Sequence, residues 1–238
     1  MSLSSIEKIF STPGGQFVTP IEELSKKLKN IKAFVFDWDG VFNDGTKNEH
    51  GSSTFSETDA MGTNLMRLSR WMPEQKMPYA AVLSGEENKI SFKFGAREHF
   101  HHVYFKVRDK TIALSHFNKT FGLTNENILF VFDDVLDLSL ARICGLRMMI
   151  SRKANPMFRK YVIDNGLADY ITAHDGSQFG VREITELVIA LSGNYDETLE
   201  HRITFSPDYK TYFEERQNLP TSFFTVVNNE IARQEIVL

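Results

Sequence analysis

Two aspartates two positions apart, in the sequence Asp-Trp-Asp-Gly at residues 37–40, constrain the fold of this chain most. They directly follow residues 31–36, a mostly apolar run without polar alternation, which predicts a strand buried on both faces. Because side chains alternate along a strand, Asp37 and Asp39 should point one way and Trp38 the other. A carboxylate pair at this end of a strand would face the crevice where open α/β sheets bind ligands. A plain turn that ends a strand is the alternative, and the tetrapeptide alone does not separate the two.

Composition and charge narrow the class of protein. The chain has 238 residues, of which 42% are hydrophobic and 24% charged, as in ordinary globular proteins. A net charge of −4 gives no reason to expect a nucleic-acid or membrane partner. The single cysteine, Cys144, suits a reducing compartment, and neither a signal-peptide core nor a membrane-spanning apolar run is evident. We therefore expect a cytoplasmic protein.

Three regions follow one another along the chain. Residues 1–30 form an N-terminal helical extension with a short helix opening at Pro20, and residues 193–238 form a C-terminal extension with a helix capped by Ser206. Between them, residues 31–192 alternate strand-like and helix-like segments, which predicts a three-layer α/β/α fold around a central parallel sheet. Strands are predicted at 31–36, 79–83, 102–105, 128–132, 146–150 and 170–171, and helices at 64–72, 87–94, 110–121, 135–144, 156–165 and 181–191.

Residues 47–55 stand apart from this alternation. They lie between the first strand and the first helix of the core, and His50-Gly51 offers a turn. The segment is therefore predicted to form a small β-hairpin.

Phosphate-binding groups follow two of the other predicted strands. The hydroxyl of Ser84 and the free backbone at Gly85 could bind a phosphate oxygen, although Ser-Gly is also common in loops. Lys110 begins a predicted helix, where a cation is unfavourable for the helix dipole unless an anion compensates it. A solvated lysine is the simpler alternative, and charge alone does not choose between Lys110 and the nearby Lys106.

Three carboxylates follow the predicted strand at residues 128–132. Asp133, Asp134 and Asp137 would repel one another unless a cation or a lysine offsets their charge. Asp133 or Asp134 could complete an oxygen-rich Mg²⁺ site, and Asp137, one turn further on, could hold the lysine. One of the three could instead only cap the following helix. Because the carboxyl ends of parallel strands share one crevice, these groups should meet the aspartates at residues 37 and 39 there.

Taken in order, these motifs resemble those of the haloacid dehalogenase (HAD) superfamily of phosphatases. Within it the chain is similar to the 3-deoxy-D-manno-octulosonate 8-phosphate phosphatases and related sugar-acid 9-phosphate phosphatases. The resemblance covers residues 31–192. The residues that carry it are Asp37-Trp-Asp39-Gly-Val-Phe-Asn-Asp44-Gly45, Ser84-Gly85, Asp109-Lys110, Asp133-Asp134-Val-Leu-Asp137 and Gly176 with Val181-Arg182-Glu183.

The resemblance implies a Rossmann-like HAD fold, with the small hairpin in place of a cap domain, and a role for each motif. Asp37 would attack phosphorus and form an aspartyl-phosphate, while Asp39 would act as acid and then base. Mg²⁺ would be held by Asp37, Asp133 and the backbone carbonyl of Asp39. Ser84, Gly85, Lys110 and Asp44 would contact the phosphate or the substrate, and Asp134 and Asp137 would surround this site.

The resemblance also implies an assembly and a substrate. Relatives form homotetramers in which neighbouring subunits close each other's active sites, and the loop at residues 176–180 would reach a neighbour's site. Three arginines typical of relatives are replaced here by Glu86, Gln178 and Thr58, and Phe132 stands in place of a glycine and would narrow the metal site. Bidentate arginine is the natural partner of a carboxylate, so the substrate, a small phosphorylated metabolite, need not be an octulosonate.

Three functions remain in play from the sequence. The first is a Mg²⁺-dependent phosphomonoesterase acting on a small sugar-acid or sugar phosphate. The second is an inactive or weakly active homologue that serves as an oligomeric binding or regulatory module, because fold alone does not fix function. The third is a phosphatase for an unrelated small metabolite.

Overall fold

A nine-stranded sheet with helices on both faces organises residues 1–237, which the computed structural model describes. Its strands are β1 (Gln16–Phe17), β2 (Ala33–Phe36), β3 (Tyr79–Leu83), β4 (His102–Tyr104), β5 (Ile128–Phe132), β6 (Leu146–Met149), β7 (Tyr170–Ile171), β8 (Ser222–Val227) and β9 (Glu230–Gln234). The helices are α1 (Leu3–Ser11), α2 (Ile21–Leu28), α3 (Glu57–Trp71), α4 (Lys89–Arg97), α5 (Lys110–Phe121), α6 (Leu138–Ala141), α7 (Pro156–Asp164), α8 (Gly180–Ser192), α9 (Tyr195–Ile203) and α10 (Pro207–Gln217).

Strand order places the functional strand ends side by side. The order across the sheet is β1-β7-β6-β5-β2-β3-β4-β8-β9, and the seven strands from β7 to β8 run parallel. β2 therefore lies between β5 and β3, and the three strands end at one edge of the sheet. This Rossmann-like α/β architecture confirms the predicted fold class.

Both faces of the sheet are covered, which explains the apolar sequence of β2. Phe34 and Phe36 pack into one hydrophobic cluster, while Ala33 and Val35 pack into a second one on the opposite face. All four side chains are fully buried. A strand between two layers needs apolar residues at every position, so its lack of polar alternation was a valid signal.

Helix starts follow the side chains that cap them. α3 begins seven residues before the predicted start, because Ser56 accepts a hydrogen bond from the backbone N–H of Thr58. Acidic residues in its first turn, Glu57 and Asp59, also favour that end of the helix dipole. The helix predicted at residues 135–144 is shorter than expected, consisting of a 3₁₀ turn followed by the single turn of α6.

The prediction of a β-hairpin at residues 47–55 is wrong, because the structure forms no strand there. Instead, the side chain of Asn48 accepts hydrogen bonds from the backbone N–H groups of His50 and Ser52. Asn48 also donates its backbone N–H to the carbonyl of Ser52, at 2.9 Å. The segment is therefore an Asn-centred turn that lies over the end of β2.

The two terminal extensions contribute strands to the same sheet. β1 pairs with β7 at one edge, and β8 pairs with β4 at the other edge and with β9 in a hairpin. A two-residue turn, Asn228-Asn229, connects β8 to β9 with positive φ at both positions. The sequence reasoning missed α1, α9 and this hairpin, and it correctly placed α2 and α10. No helix among the described residues is long and apolar enough to cross a membrane.

Asp59 joins the first helix of the core to α8. It is fully buried, and its Oδ1 accepts the backbone N–H of Arg182 at 2.8 Å, in the first turn of α8. Its Oδ2 has no hydrogen-bond partner among the described residues. Burial raises the pKa of Asp59 to about 7, and the contacts with Arg182 offset this only in part.

We expect Asp59 to make the stability of the fold depend on pH. Because its pKa is raised on folding, its contribution is complete below about pH 4 and is lost as the pH rises through about 7. Each pKa unit corresponds to about 1.4 kcal/mol. Asp59→Asn keeps an acceptor for Arg182 but does not titrate. Urea unfolding from pH 5 to 8.5 should therefore show a steeper loss of unfolding free energy in the wild type than in Asp59→Asn. Parallel curves would contradict this assignment.

Candidate active site

The carboxyl ends of four neighbouring strands line one cavity of about 520 Å³. Asp37 follows β2, Ser84 follows β3 and Asp133 follows β5, while Lys110 begins the helix after β4. The cavity also holds Asp39, Gly85, Asp134 and Asp137. The structure therefore brings together every sequence-predicted site residue except Asp44.

A buried ammonium group bridges two of these carboxylates. Lys110 is only 3% exposed, and its Nζ donates to Asp37 Oδ1 and, at 2.5 Å, to Asp137 Oδ1. Lys106, in contrast, is exposed and pairs with Glu87. Of these two lysines, only Lys110 lines the cavity.

Burial and repulsion shift the pKa values in this group. Burial, followed by repulsion from Asp137, raises the pKa of Asp37 well above its usual range, although Lys110 opposes the shift. Burial lowers the pKa of Lys110, but attraction to Asp37 and Asp137 outweighs it and the net pKa is raised. Burial and Asp137 likewise raise the pKa of Asp133 to about 7, against the attraction of Arg152. Burial and mutual repulsion thus both disfavour the ionised carboxylates, and an added cation would favour that form.

Three buried carboxylates form a candidate metal site. One carboxylate oxygen each from Asp37, Asp133 and Asp137 lies within 4.8 Å of the other two. Hard oxygen donors of this kind fit Mg²⁺. The sequence analysis expected Asp137 only to hold the lysine. In the structure its carboxylate contacts Lys110 and is also one of the three that form this cluster. The carboxylate of Asp39 lies outside it, so a metal contact from Asp39 has to come from its backbone carbonyl, as the resemblance implies.

A tight turn after β2 brings its backbone against this cluster. Gly40 has φ of +89°, and a Cβ there would lie 2.1 Å from Asp133 Oδ2 and 2.4 Å from Arg152 Nη2. Asn43 holds the turn, since its Oδ1 accepts the backbone N–H groups of Gly40 and Gly45. Glycine is therefore required at position 40 for both conformation and space.

Asp39 faces a separate set of partners. Its Oδ1 accepts a hydrogen bond from the hydroxyl of Ser53 and lies 3.4 Å from Asn88 Nδ2, while its Oδ2 lies 3.2 Å from Lys47 Nζ. Trp38, between the two aspartates, is fully buried and stacks on Phe42 with ring centroids 5.0 Å apart. The predicted alternation of side chains along residues 37–39 is therefore present.

The remaining predicted site residues lie in different surroundings. Ser84 is buried and its Oγ accepts the backbone N–H of Glu86 at 3.2 Å. Asp134 is exposed and caps the 3₁₀ turn through Val135. Asp44 does not line the cavity: it is exposed and accepts the backbone N–H of Thr46 at 2.7 Å, which lowers its pKa. The structure therefore does not bring Asp44 to the expected substrate contact.

One expectation about a residue near the site needs correction. Phe132 was expected to narrow the metal site, but its ring stacks on Phe130 in the core cluster, with centroids 5.7 Å apart. That the loop at residues 176–180 reaches a neighbouring subunit stays a prediction. In this chain Gly176 packs on its own site turn, where a Cβ would lie 2.0 Å from the carbonyl oxygen of Asn43.

Several cavity residues escaped the sequence reasoning because they come from loops without a recognisable motif. Arg152 follows β6 and donates Nη2 to Asp133 Oδ2 at 2.5 Å. Arg108 and Lys47 also line the cavity. Of the three positions that lack an expected arginine, only Glu86 lines the cavity, and Thr58 and Gln178 are not among its lining residues. A basic residue after a predicted strand, as at position 152, was the one signal available.

Comparison with known proteins identifies a group of similar chains. A 3-deoxy-D-manno-octulosonate 8-phosphate phosphatase (KdsC) of Escherichia coli is 26% identical over 179 residues, covering 74% of this chain and 88% of the relative. The corresponding enzyme of Haemophilus influenzae is 24% identical over 174 residues, covering 71% and 89%. No family model matches the chain.

Solved structures give the same result. A putative HAD superfamily (subfamily III A) hydrolase of Legionella pneumophila has a TM-score of 0.65 at 26% identity, covering 77% of this chain and 96% of that one. The 3-deoxy-D-manno-octulosonate 8-phosphate phosphatase of Moraxella catarrhalis, crystallised with magnesium, phosphate and KDO, has a TM-score of 0.62 at 25% identity, covering 79% and 100%. These comparisons support a phosphatase with a HAD-type fold, and the chain is similar to the KdsC-like group.

Removing the buried ammonium should destabilise the fold far more than removing an exposed one. Lys110→Met leaves Asp37 and Asp137 buried and unpaired, and loss of one partner from a buried pair costs about 3–5 kcal/mol. Lys106→Met breaks only a surface pair, which is worth about 0–1 kcal/mol. Urea unfolding at pH 7 without metal measures both. Equal stability of the two variants would contradict the structural role of Lys110.

Proposed function

We propose that this HAD phosphatase is a Mg²⁺-dependent phosphomonoesterase that hydrolyses a small sugar-acid or sugar phosphate. The observation that carries the proposal is the convergence of Asp37, Asp39, Lys110 and Asp133 on one cavity at the ends of neighbouring strands. Residues 31–192 form the catalytic region in this proposal. The flanking extensions complete both edges of its sheet.

The acidic cluster fits the metal that the reaction requires. Asp37 and Asp133 would hold Mg²⁺, with Asp137 beside them and the backbone carbonyl of Asp39 as a further oxygen. When bound, Mg²⁺ supplies positive charge that offsets the negative charge of the phosphoryl oxygens. The magnesium and phosphate in the related Moraxella catarrhalis crystal structure support this assignment. The raised pKa values of Asp37 and Asp133 are what carboxylates awaiting a cation should show.

The first chemical step forms a bond from a carboxylate oxygen of Asp37 to phosphorus and breaks the bond from phosphorus to the leaving alcohol oxygen. Asp39 gives its proton to that oxygen, so a neutral alcohol departs and an aspartyl-phosphate is left. Lys110, together with the hydroxyl of Ser84 and the backbone at Gly85, offsets charge on the phosphoryl oxygens.

The second step restores the enzyme. Asp39, now a carboxylate, takes a proton from water while the water oxygen bonds to phosphorus and the bond from phosphorus to Asp37 breaks. Inorganic phosphate leaves, Asp37 is again a carboxylate and Asp39 is again protonated. Lys110 keeps its contact with Asp137 throughout, so it is held in position when Asp37 carries the phosphoryl group.

The cavity offers cations for an acidic leaving group. Arg108, Arg152 and Lys47 line it, in addition to the buried Lys110. Arg152 presents a planar guanidinium, which matches a carboxylate in two parallel hydrogen bonds. The similar Moraxella catarrhalis enzyme was crystallised with KDO, a sugar acid. A sugar-acid phosphate is therefore the substrate class that these residues support best.

We also propose that the chain assembles as a homotetramer. Val135 and Leu136, beside Asp134, are 62% and 70% exposed, and Met157 is 76% exposed. Large apolar residues that cluster at one place on a surface favour association with another chain. Leu136 lines the cavity itself, so a subunit docked there would cover its rim.

Removal of the nucleophile is the direct test of the reaction. Wild-type protein with Mg²⁺ should release phosphate from a panel of sugar and sugar-acid phosphates, and EDTA should abolish release. Asp37→Asn should lower kcat by about 10⁴-fold or more, because covalent catalysis is lost. Asp164→Asn, on the exposed surface of α7, is the matched control and should keep full activity. Failure of the wild type to hydrolyse any ester would reject the proposal in favour of a binding module.

The proposed contact between Arg152 and an acidic leaving group can be tested separately. Loss of a bidentate contact costs about 1.5–3 kcal/mol, so Arg152→Ala should raise KM for a sugar-acid phosphate by about 10–100-fold. KM for a neutral sugar phosphate of the same size should change less than about 3-fold. Arg142→Ala, a similar change of an exposed arginine outside the cavity, is the control. Equal changes in KM for the two esters would assign Arg152 to the phosphate or the metal site instead.

A further inference from the structure

We infer that Asn88 and Ser53 form a hydrogen-bond relay that fixes which oxygen of Asp39 exchanges the proton in the reaction. The inference rests on the proposed function, in which Asp39 is the acid and base. Asn88 Nδ2 lies 2.7 Å from Ser53 Oγ, and Ser53 in turn bonds Asp39 Oδ1. Both residues are positioning residues, since they act through Asp39 and line no part of the cavity.

The orientation of the Asn88 amide is set by the helix that it caps. Its Oδ1 accepts the backbone N–H groups of Ile90 and Ser91, at 3.0 and 3.4 Å, at the start of α4. A carboxamide has its acceptor on one side and its donor on the other. With the oxygen committed to the helix, the NH₂ group has to face Ser53 and Asp39.

That amide in turn sets the direction of the serine hydroxyl. The NH₂ group of Asn88 can only donate, so Ser53 Oγ accepts from it and has its own proton free to donate elsewhere. The acceptor within reach is Asp39 Oδ1. The hydroxyl proton of Ser53 therefore points at the carboxylate of Asp39.

Two consequences follow for Asp39. Its Oδ1 already receives a hydrogen bond from Ser53 and lies 3.4 Å from Asn88 Nδ2, so a proton on that oxygen would be opposed by both donors. Oδ2 also has a donor beside it, Lys47 Nζ at 3.2 Å, but that side chain is only partly buried and can turn to solvent, whereas the buried Ser53 and Asn88 cannot. The transferable proton is therefore carried by Oδ2. Lys47 lines the cavity and its side chain is a third exposed, so this side of Asp39 keeps access to the substrate.

Burial shields the relay from water, so its hydrogen bonds hold the side chains in place. Asn88 and Ser53 are 0% and 2% exposed, whereas the side chain of Asp39 is 21% exposed. Ser53 belongs to the turn at residues 47–55, and Asn88 begins α4. Hydrogen bonds in such surroundings are strong, so the turn over the site and the helix after β3 together hold the acid in one orientation.

The relay can be tested with two leaving groups. An alkyl phosphate needs a proton on its departing oxygen, whereas p-nitrophenyl phosphate leaves as a stable anion. kcat/KM reports the steps through phosphoryl transfer to Asp37 and so isolates proton donation. Ser53→Ala should lower kcat/KM by about 10–100-fold for the alkyl ester, within the range of acid catalysis, and by less than about 3-fold for the aryl ester. Ser53→Thr retains the hydroxyl and should restore most of the activity.

Asn88→Ser provides the second variant. Serine is as good an N-cap as asparagine, so α4 and the melting temperature should be maintained, while the donor to Ser53 is lost. It should show the same dependence on the leaving group. The double variant should be little worse than Ser53→Ala alone, because the short bond of Asn88 goes to Ser53 and its direct contact with Asp39 is long, at 3.4 Å. Ser52→Ala is the matched control in the same turn, since Ser52 uses backbone atoms for its bonds to Asn48.

The outcomes separate the relay from the function on which it rests. If the wild type is active, Asp37→Asn is inactive, and Ser53→Ala lowers kcat/KM equally for both esters or not at all, the relay is rejected and the phosphatase stands. If the wild type hydrolyses neither ester, both are rejected. Selective loss for the alkyl ester in both variants, with Ser52→Ala unchanged, supports the relay.

Discussion

The contact of the Lys110 ammonium with the carboxylates of Asp37 and Asp137 is the interaction on which the rest of the site depends. Three charges taken out of water are costly, and they are tolerated because each has an opposite charge within hydrogen-bond distance. Two positive charges, those of Lys110 and Arg152, face the three carboxylates of this centre, so carboxylates are still in excess. The same arrangement that stabilises the fold therefore has a charge balance that suits a divalent cation and, next to it, a phosphoryl group.

The sheet makes this arrangement possible. Asp37 and Asp133 come from β2 and β5, which pair in parallel with Phe36 opposite Val131, so their carboxylates emerge side by side. Lys110 enters from the helix after β4, two strands away from β2. The extensions act at a distance from this centre: β1 and the β8–β9 hairpin extend the sheet at its two edges. Residues 31–192 therefore lie within a wider sheet than they could build alone.

Whether an element or a site residue could be predicted depends on whether a local sequence signal sets it. β3, β5 and α5 were predicted to the residue, because their limits are set locally by apolar runs, Asp109 as a cap and Gly122 as a left-handed end. The opposite case is the turn at residues 47–55: its spacing suggested paired strands, but Asn48 satisfies the backbone groups that a hairpin would have paired. Arg152 and Ser53 were missed because neither belongs to a recognisable motif, and their partners are more than a dozen residues away.

The residues proposed for the reaction and those proposed for substrate specificity differ in how well the sequence predicts them. The groups proposed to act on phosphorus lie at or near strand ends and line the cavity where their motifs predicted. The cations suited to the proposed leaving group come instead from loops: Glu86 stands where the resemblance predicted an arginine, whereas Arg152 and Lys47 enter the cavity from other segments. Charge at a given point in a cavity can be supplied from several backbone positions, whereas an in-line nucleophile with its metal cannot. Loss of a familiar arginine from the sequence is therefore weak grounds for inferring loss of an acidic substrate, and the composition of the cavity is the better guide.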